Sequence, residues 1–380
     1  MNLSEYLPGT ELSLVLIYIT VFFTAFYTVR FIFQTYRLAF YKNNLSQPLA
    51  YPPVSVLVCA RNEADNLTHF LPEILAQDYH EFEVIVINDC SNDHTDDVLR
   101  EFAKLFPNLK IITIKEDDYY KHGKKFALMV GIKGAKYEHL LLTDADCVPG
   151  SRAWLNEMAS GFVQNNEIVL GYGAYKATDG FLNKLIRFDT MLIGLSYLSA
   201  ALRKKPYMGV GRNLGYKKDL FFKSRNFSKH YHLVSGDDDL FINQVANREN
   251  TAIVINKNSF TYSIPKKKFR QWWRQKQRHL TTAPYYSTSS TISLGFSHLL
   301  NYCSFITSIV CLFFQSTLVI GLITLSLRWI IQLIIYGKTS RLLEEKGIIG
   351  YWILFDILLL ILYPIISFTQ KISRPDKWMN

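Results

Sequence analysis

The sequence predicts an α/β domain with a mainly parallel sheet flanked by helices, held between apolar segments long enough to cross a bilayer. Three observations carry this reading. Between residues 50 and 290, continuous β-branched runs alternate with helix-like stretches. Apolar runs of about twenty residues, the length a bilayer requires, lie on both sides of that region. The chain is 49% hydrophobic and only 19% charged, an unusually apolar balance for a soluble protein. The expected organisation is an N-terminal anchor in 1–45, a globular domain in 50–290, two to three C-terminal transmembrane helices in 295–370 and a basic tail in 371–380.

The anchor rests on residues 12–33, LSLVLIYITVFFTAFYTVRFIF, whose single charge is Arg30. The run is too long for a signal-peptide core and lacks a basic flank before it and a small-residue cleavage site after it, so it reads as retained. Apolar stretches recur at 297–314, 316–336 and 348–369. The middle one contains Arg328, and a charge near the bilayer centre costs ~2.5 kcal/mol or more. Arg328 is therefore expected to snorkel toward an interface. Asp356 raises the same question in the last stretch, where Pro364 is expected to introduce a kink. The net charge of +10 gathers near these segments: Arg30, Arg37 and Lys42, then KKKFRQWWRQKQRH at 266–279. By the positive-inside rule the N-terminus is outside and the domain cytoplasmic. Lys371, Arg374 and Lys377 conflict with an odd number of C-terminal crossings, which leaves the span count open by one. No basic face carries nucleic-acid motifs, and nucleic acid is set aside. The five cysteines form no C-x-x-C pair, as expected in a reducing compartment.

Within the domain, VSVLVCA (54–60) is a β-branched run of the kind buried on both faces of a sheet. FEVIVIND (82–89), LKIITIK (109–115) and HLLLTDAD (139–146) supply three more strands. ADNLTHFLPEILAQ, SNDHTDDVLREFAKLF and KKFALMVGIKGA are the intervening helices, with Ser91, Asn92 and Asp93 available as caps for the second. Such alternation implies a parallel sheet whose ligands bind beyond the carboxyl ends of its strands. Those ends carry Arg61, Asn62 and Glu63, then Asn88 and Asp89, then Asp144 and Asp146. After residue 150 the alternation fades. Residues 181–205 read as a helix, either at the membrane surface or buried.

Asp144 and Asp146 bracket one residue at a strand tip, and two close carboxylates repel unless a cation or proton lies between them. Hard oxygen donors suit Mg²⁺ or Mn²⁺. On its own the pair is equally an ordinary strand-to-turn boundary. Its company matters: Lys124 precedes a helix and can meet a phosphate, and Gly209, Gly211 and Gly215 permit close backbone approach. In SGDDDLF (235–241), helix capping explains one or two of the aspartates, and the spare carboxylate is a candidate general base. RQWWRQKQRHL (270–280) reads either as an interfacial belt with Trp272 and Trp273 at headgroup level or as an arginine clamp for a diphosphate.

VSVLVCARNEADNL, VIVINDCSNDHTDDVL, GKKFAL, LLLTDADC, SGDDDLF and the QKQRH element occur here in one order. In that order the chain resembles family 2 glycosyltransferases, specifically the membrane-anchored members that include polysaccharide synthases and ceramide glucosyltransferases. The resemblance covers roughly residues 52–280. It implies a GT-A fold and a metal-dependent enzyme with Mg²⁺ or Mn²⁺. It also implies inverting transfer from a nucleotide-diphosphate sugar, expected to be UDP-linked, to a lipid or glycan acceptor at the cytoplasmic face of a bacterial inner membrane. By the same resemblance Glu63 and Asp89 contact the nucleoside, Lys124 lies near the nucleotide, and Asp144 lies near ribose and metal. Asp146 ligates the metal. Alignment through Leu240 makes Asp237 the base, with Asp238 as fallback. Gln275 and Arg278 match the Q-x-x-R part of a Q-x-x-R-W element. Two departures are Asn88, where an aspartate is usual, and His279, where that element has tryptophan, which weakens the case for a processive product. The competing readings are a processive polysaccharide synthase and, from another class, an inactive membrane scaffold that kept the fold.

Overall fold

A computed structural model of the protein describes residues 10–42, 50–116, 123–163, 166–224 and 227–373. The chain enters through a long helix, α1 (Thr10–Ala39), and then alternates as expected: β1 (Val54–Ala60), α2 (Ala64–Leu75), β2 (Phe82–Asp89), α3 (Thr95–Leu105), β3 (Leu109–Ile114), α4 (Lys124–Gly134) and β4 (His139–Asp144). Shorter elements follow: β5 (Cys147–Pro149), α5 (Trp154–Ser160), β6 (Ile168–Leu170), β7 (Gly173–Tyr175), the long α6 (Phe181–Leu202), β8 (Leu214–Lys217), α7 (Lys218–Lys223), α8 (Asp239–Val245), β9 (Thr251–Ile253) and β10 (Thr261–Ser263). The chain closes with α9 (Phe269–Leu280), α10 (Thr288–Cys311), α11 (Leu318–Leu342) and α12 (Trp352–Ser373).

Seven strands form one sheet in the order β3-β2-β1-β4-β8-β6-β9. The first four are parallel, and β8 joins antiparallel to both β4 and β6. Side-chain alternation sends the β1 residues Val54, Val56 and Val58 to one face, where they meet Leu67, Leu71 and Trp154. Leu57 and Cys59 point to the other face, toward Leu128, Ile132 and α6. Burial on both faces is why these strands read as unbroken apolar runs. Gly131 lets α4 approach closely: a Cβ there would lie 2.6 Å from the Ile87 side chain. A second sheet, β5-β10-β7, consists of three-residue strands and buttresses the chain just after Asp146.

Among the described residues, five helices are long and apolar enough to cross a membrane: α1, α6, α10, α11 and α12. Of these, α6 is 78% buried over its most apolar stretch, against 22–33% for the others. Residues 181–202 are therefore a buried helix, the second of the two expected alternatives, and Lys204 and Lys205 lie beyond it, exposed. Small polar side chains line the antiparallel seam between α1 and α10 in the manner of packed membrane helices: Thr20 meets Cys311 at 3.3 Å, Thr24 meets Ser304 at 3.2 Å, and Gln34 meets Ser297 at 2.9 Å.

Arg328 corrects one expectation. It does not snorkel outward but is buried, with Nη2 donating to Asp356 Oδ2 at 3.0 Å. The two charges that looked misplaced in separate segments satisfy each other across α11 and α12. The globular domain is also tied to the apolar helices by charge, through Arg187 on α6 and Glu345 between α11 and α12 at 2.8 Å, while Lys276 on α9 pairs with Asp189 on α6 within the domain. α12 is held by the domain along its length. Near its start, Phe355 packs on Phe181 and Phe188 of α6 with ring centroids 5.2 and 5.6 Å apart. In its middle, Tyr363 donates to Asp189, and near its end Gln277 of α9 donates to Thr369 at 3.0 Å.

Candidate active site

The carboxyl end of β4 delivers Asp144, and the turn into β5 delivers Asp146. β1 and β4 are paired in register up to Cys59 and Asp144, so Asp144 sits at the centre of the sheet's carboxyl edge. Lys124, the first residue of α4, lies above it. Lys124 Nζ lies 2.7 Å from Asp144 Oδ1 and 3.3 Å from Asp237 Oδ2, bridging a strand end to the SGDDDLF segment nearly a hundred residues later. Burial alone would lower the lysine's pKa, but Asp144, Asp237 and Asp238 together hold it well above its ordinary value. In turn, burial would raise the Asp144 carboxyl, and Lys124 overrides that and keeps it low. No lysine or arginine pairs with Asp146 at salt-bridge distance among the described residues, and the Arg212 and Lys266 charges act on it more weakly. Burial and the neighbouring Asp144 charge push its pKa up.

The three aspartates of SGDDDLF separate by role. Asp238 caps α8: its Oδ1 accepts from the Asp239 N–H and its Oδ2 from the Gly211 N–H, both at 2.7 Å. The close approach foreseen for the glycine cluster occurs at all three: a Cβ would lie 2.9 Å from Leu214 at Gly209, 2.7 Å from Leu141 at Gly215 and, at the site itself, 3.3 Å from Asp238 Oδ2 at Gly211. Burial, then the Asp237 and Asp239 charges, raise the Asp238 pKa to about 7. Asp239 accepts from Thr282 and from the Tyr286 hydroxyl. Asp237 is left as the carboxylate that faces Lys124.

These groups open onto one cavity of about 1500 Å³, which also receives Glu63, Gln275, Arg278 and His279. Glu63 accepts from Asn66, and Gln275 donates to the Tyr175 hydroxyl at 3.1 Å. Asp89 comes to the same edge of the sheet but is fully buried rather than part of the cavity wall. In α9, Trp272 is buried in the core at 1% exposure, which removes it from a headgroup belt. Arg212 was missed. It lines the cavity, stacks over the Tyr175 ring at 4.2 Å and donates to Ser263 Oγ at 3.0 Å. Burial would lower its pKa, but Tyr175, Cys147, Asp146 and Asp144 raise it. The one signal for it was an arginine between the glycines of GVGRNLG.

The ligand atoms of Asp144, Asp146 and Cys147 lie within 4.8 Å of one another. Burial and the adjacent carboxylates push the Cys147 thiol well up, and its Sγ donates to Asp146 Oδ1 at 3.4 Å. Cys147 is buried and does not line the cavity, which leaves Asp144 and Asp146 as the oxygen donors facing it.

Residues 55–224 match the family model described as glycosyl transferase family 2. The chain is 29% identical over 157 residues to an uncharacterized glycosyltransferase of Haemophilus influenzae, a match covering 41% of this chain and 45% of that protein. It is 36% identical over 95 residues to a poly-beta-1,6-N-acetyl-D-glucosamine synthase of Staphylococcus epidermidis, covering 25% of this chain and 22% of that one. The matches thus span less than half the length of these curated relatives. In fold, the chain is similar to a mannosyltransferase of Pyrobaculum calidifontis solved with GDP-Man and Mn²⁺. The TM-score is 0.58 at 17% identity, covering 91% of this chain and 99% of that one. The strand order, the carboxylates at the sheet's edge and the family match agree: the chain carries a family 2 glycosyltransferase domain of the GT-A fold.

Proposed function

We propose that this protein transfers a sugar, with inversion, from a nucleotide-diphosphate sugar to a membrane-associated acceptor at the cytoplasmic face of a bacterial inner membrane. The observation that carries the reading is the Lys124 bridge. It sets Asp144 and Asp237 against one another in a cavity shared with Asp146, Arg212 and Arg278 and continuing between the apolar helices. The basic residues beside α1 and α9 support a cytoplasmic domain.

Asp146, with Asp144 beside it, is the ligand set for a divalent cation. Two convergent carboxylates, one of them pushed up by burial and by the other's charge, fit Mg²⁺ or Mn²⁺, which bind through one or two carboxylates plus substrate phosphates. When bound, the ion supplies neutralising charge at the diphosphate. Arg212 and Arg278 add fixed positive charge on the same side, where negative charge grows as the nucleoside diphosphate leaves. Asp238 and Asp239 hold backbone and hydroxyl groups, so Asp237 is assigned as base. It accepts the acceptor hydroxyl's proton as that oxygen bonds to the anomeric carbon and the bond from carbon to the diphosphate oxygen breaks. A UDP-linked donor and a lipid or glycan acceptor complete the reading, with Glu63 and Asp89 toward the nucleoside and Gln275 beside Arg278.

The test is Asp237→Asn in the full chain. Donor binding, read by titration with nucleotide sugars, is expected to persist while transfer to a membrane extract falls by at least about a hundredfold. Retained turnover would move the base to another residue.

A further inference from the structure

At its membrane end the cavity meets a group of arginines that the proposed chemistry does not use. Arg30, on α1, and Arg203, at the carboxyl end of α6, both line it. Arg37 lies beside them, its Nη1 donating to the Leu202 carbonyl at 2.9 Å. Arg30 is fixed in place: Nε donates to Ser297 Oγ at 2.9 Å and Nη2 to the Ser293 carbonyl at 2.8 Å, both on α10. Arg203 stacks near Phe33, 5.9 Å from the ring centroid, and its Nε is buried with no hydrogen-bond partner among the described residues.

Hydroxyls and carbonyls hold the Arg30 and Arg37 guanidinium groups near that of Arg203, and like charges gathered in this way are costly without an anion. Burial, and then the Arg30 and Arg37 charges, lower the Arg203 pKa, and the acidic group that acts on it is the Tyr207 phenol rather than a carboxylate. The usual role of interfacial arginines is to reach outward to headgroups. Here Arg30 and Arg203 turn inward, onto a cavity whose other end is Asp237 and whose walls at this end include Phe31 and Leu294. A ligand matching that gradient has an anionic head, an apolar tail beside the α1–α10 seam and a polar extension toward the base.

We propose that Arg30, Arg203 and Arg37 bind the phosphate or diphosphate of a lipid acceptor, placing its glycosyl-accepting end toward Asp237. The guanidinium fork suits phosphate oxygens, and Arg203 Nε supplies an unused donor. This inference rests on the transferase reading for what the lipid is used for, but not for its binding.

The experiment uses the full-length protein in nanodiscs and farnesyl phosphate as probe, with farnesol, inorganic phosphate and phosphatidylglycerol as comparison arms. Farnesyl phosphate is expected to bind at least about tenfold more tightly than each of the other three. Losing one charge-assisted bond costs about 1.5–3 kcal/mol, or roughly ten- to a hundredfold in Kd. Arg203→Gln and Arg37→Gln should each weaken the probe by about tenfold or more, and Arg203→Lys by less than Arg203→Gln. Equal binding of farnesol would overturn the phosphate requirement. Inorganic phosphate binding as tightly would indicate a soluble anion, and phosphatidylglycerol binding as tightly would indicate ordinary bilayer lipid. Either overturns the proposal, as do variants that bind like the parent. Nucleotide-sugar titration of the parent protein is read separately: failure there with farnesyl phosphate binding intact sinks the transferase reading and leaves the arginine site standing.

Discussion

Replacing Arg328 by Met tests whether the apolar helices are joined by a buried ion pair. Arg328 is 1% exposed, and besides Asp356 its Nη1 reaches the Asn301 carbonyl at 3.3 Å. Its guanidinium lies 4.7 Å from the Tyr27 ring centroid and 5.3 Å from that of Phe305. One side chain thus touches α1, α10 and α12. Arg328→Met leaves the Asp356 carboxylate buried with, among the described residues, only Gln332 and Tyr336 as hydrogen-bond partners, at 3.4 and 3.3 Å. Removing one partner of a buried pair costs about 3–5 kcal/mol, whereas replacing both by apolar groups of similar volume is often neutral or better. Arg328→Met and Asp356→Leu should therefore each lower the melting temperature by roughly 6–20 °C, at about 2–4 °C per kcal/mol for a large domain. The double variant should lie within a few degrees of the parent. The assay is tryptophan fluorescence on heating in one detergent, as a double-mutant cycle. Additive losses in the double variant, or single variants that melt with the parent, would refute the reasoning.

Further outcomes are expected at the site. Chelation should abolish transfer, with Mg²⁺ or Mn²⁺ restoring it, and Asp146→Asn should raise the metal concentration needed for half activity; full activity after chelation counts against the carboxylate pair as ligands. Arg212→Lys keeps the charge but loses the stacked fork on Tyr175, so transfer should fall by about tenfold or more; an unchanged kcat/KM would remove Arg212 from the site. Asp238 keeps its proton in the folded protein up to about pH 7, while the unfolded chain releases it near 3.8. Stability contributed by that proton is lost as pH rises from about 4 to about 7. Melting temperature should fall over that window, and Asp238→Asn should flatten the slope; parallel slopes would show that Asp238 does not titrate there.

Much of this was legible because its signals are local. Strands buried on both faces leave unbroken apolar runs, and a parallel sheet puts the residues after each strand at one edge, so Glu63, Asp89, Asp144 and Asp146 could be placed together from spacing alone. The roles within SGDDDLF were not legible, because they depend on Gly211, Thr282 and Tyr286, which arrive from distant segments. Arg212 was passed over for the same reason: its meaning comes from Tyr175 and Ser263, on two strands too short to show a period. Arg328 and Asp356 each looked like a defect in an apolar run, and hydropathy scores residues one at a time. α6 is apolar on nearly all sides, so composition left its surroundings open.

The contacts that hold α12 to α6 at its start and to α9 at its end bear on a question of parity. A helix that returns to the surface it left adds nothing to the number of crossings. We propose on this ground that α10 and α11 are the two C-terminal passages, so that the chain finishes on the side where the sheet lies. Lys371 then shares a compartment with Lys42 and Lys266, and the charge distribution that seemed to contradict itself along the sequence becomes consistent. A reporter fused after residue 380 and one inserted at the domain's surface should therefore respond from the same side of the membrane.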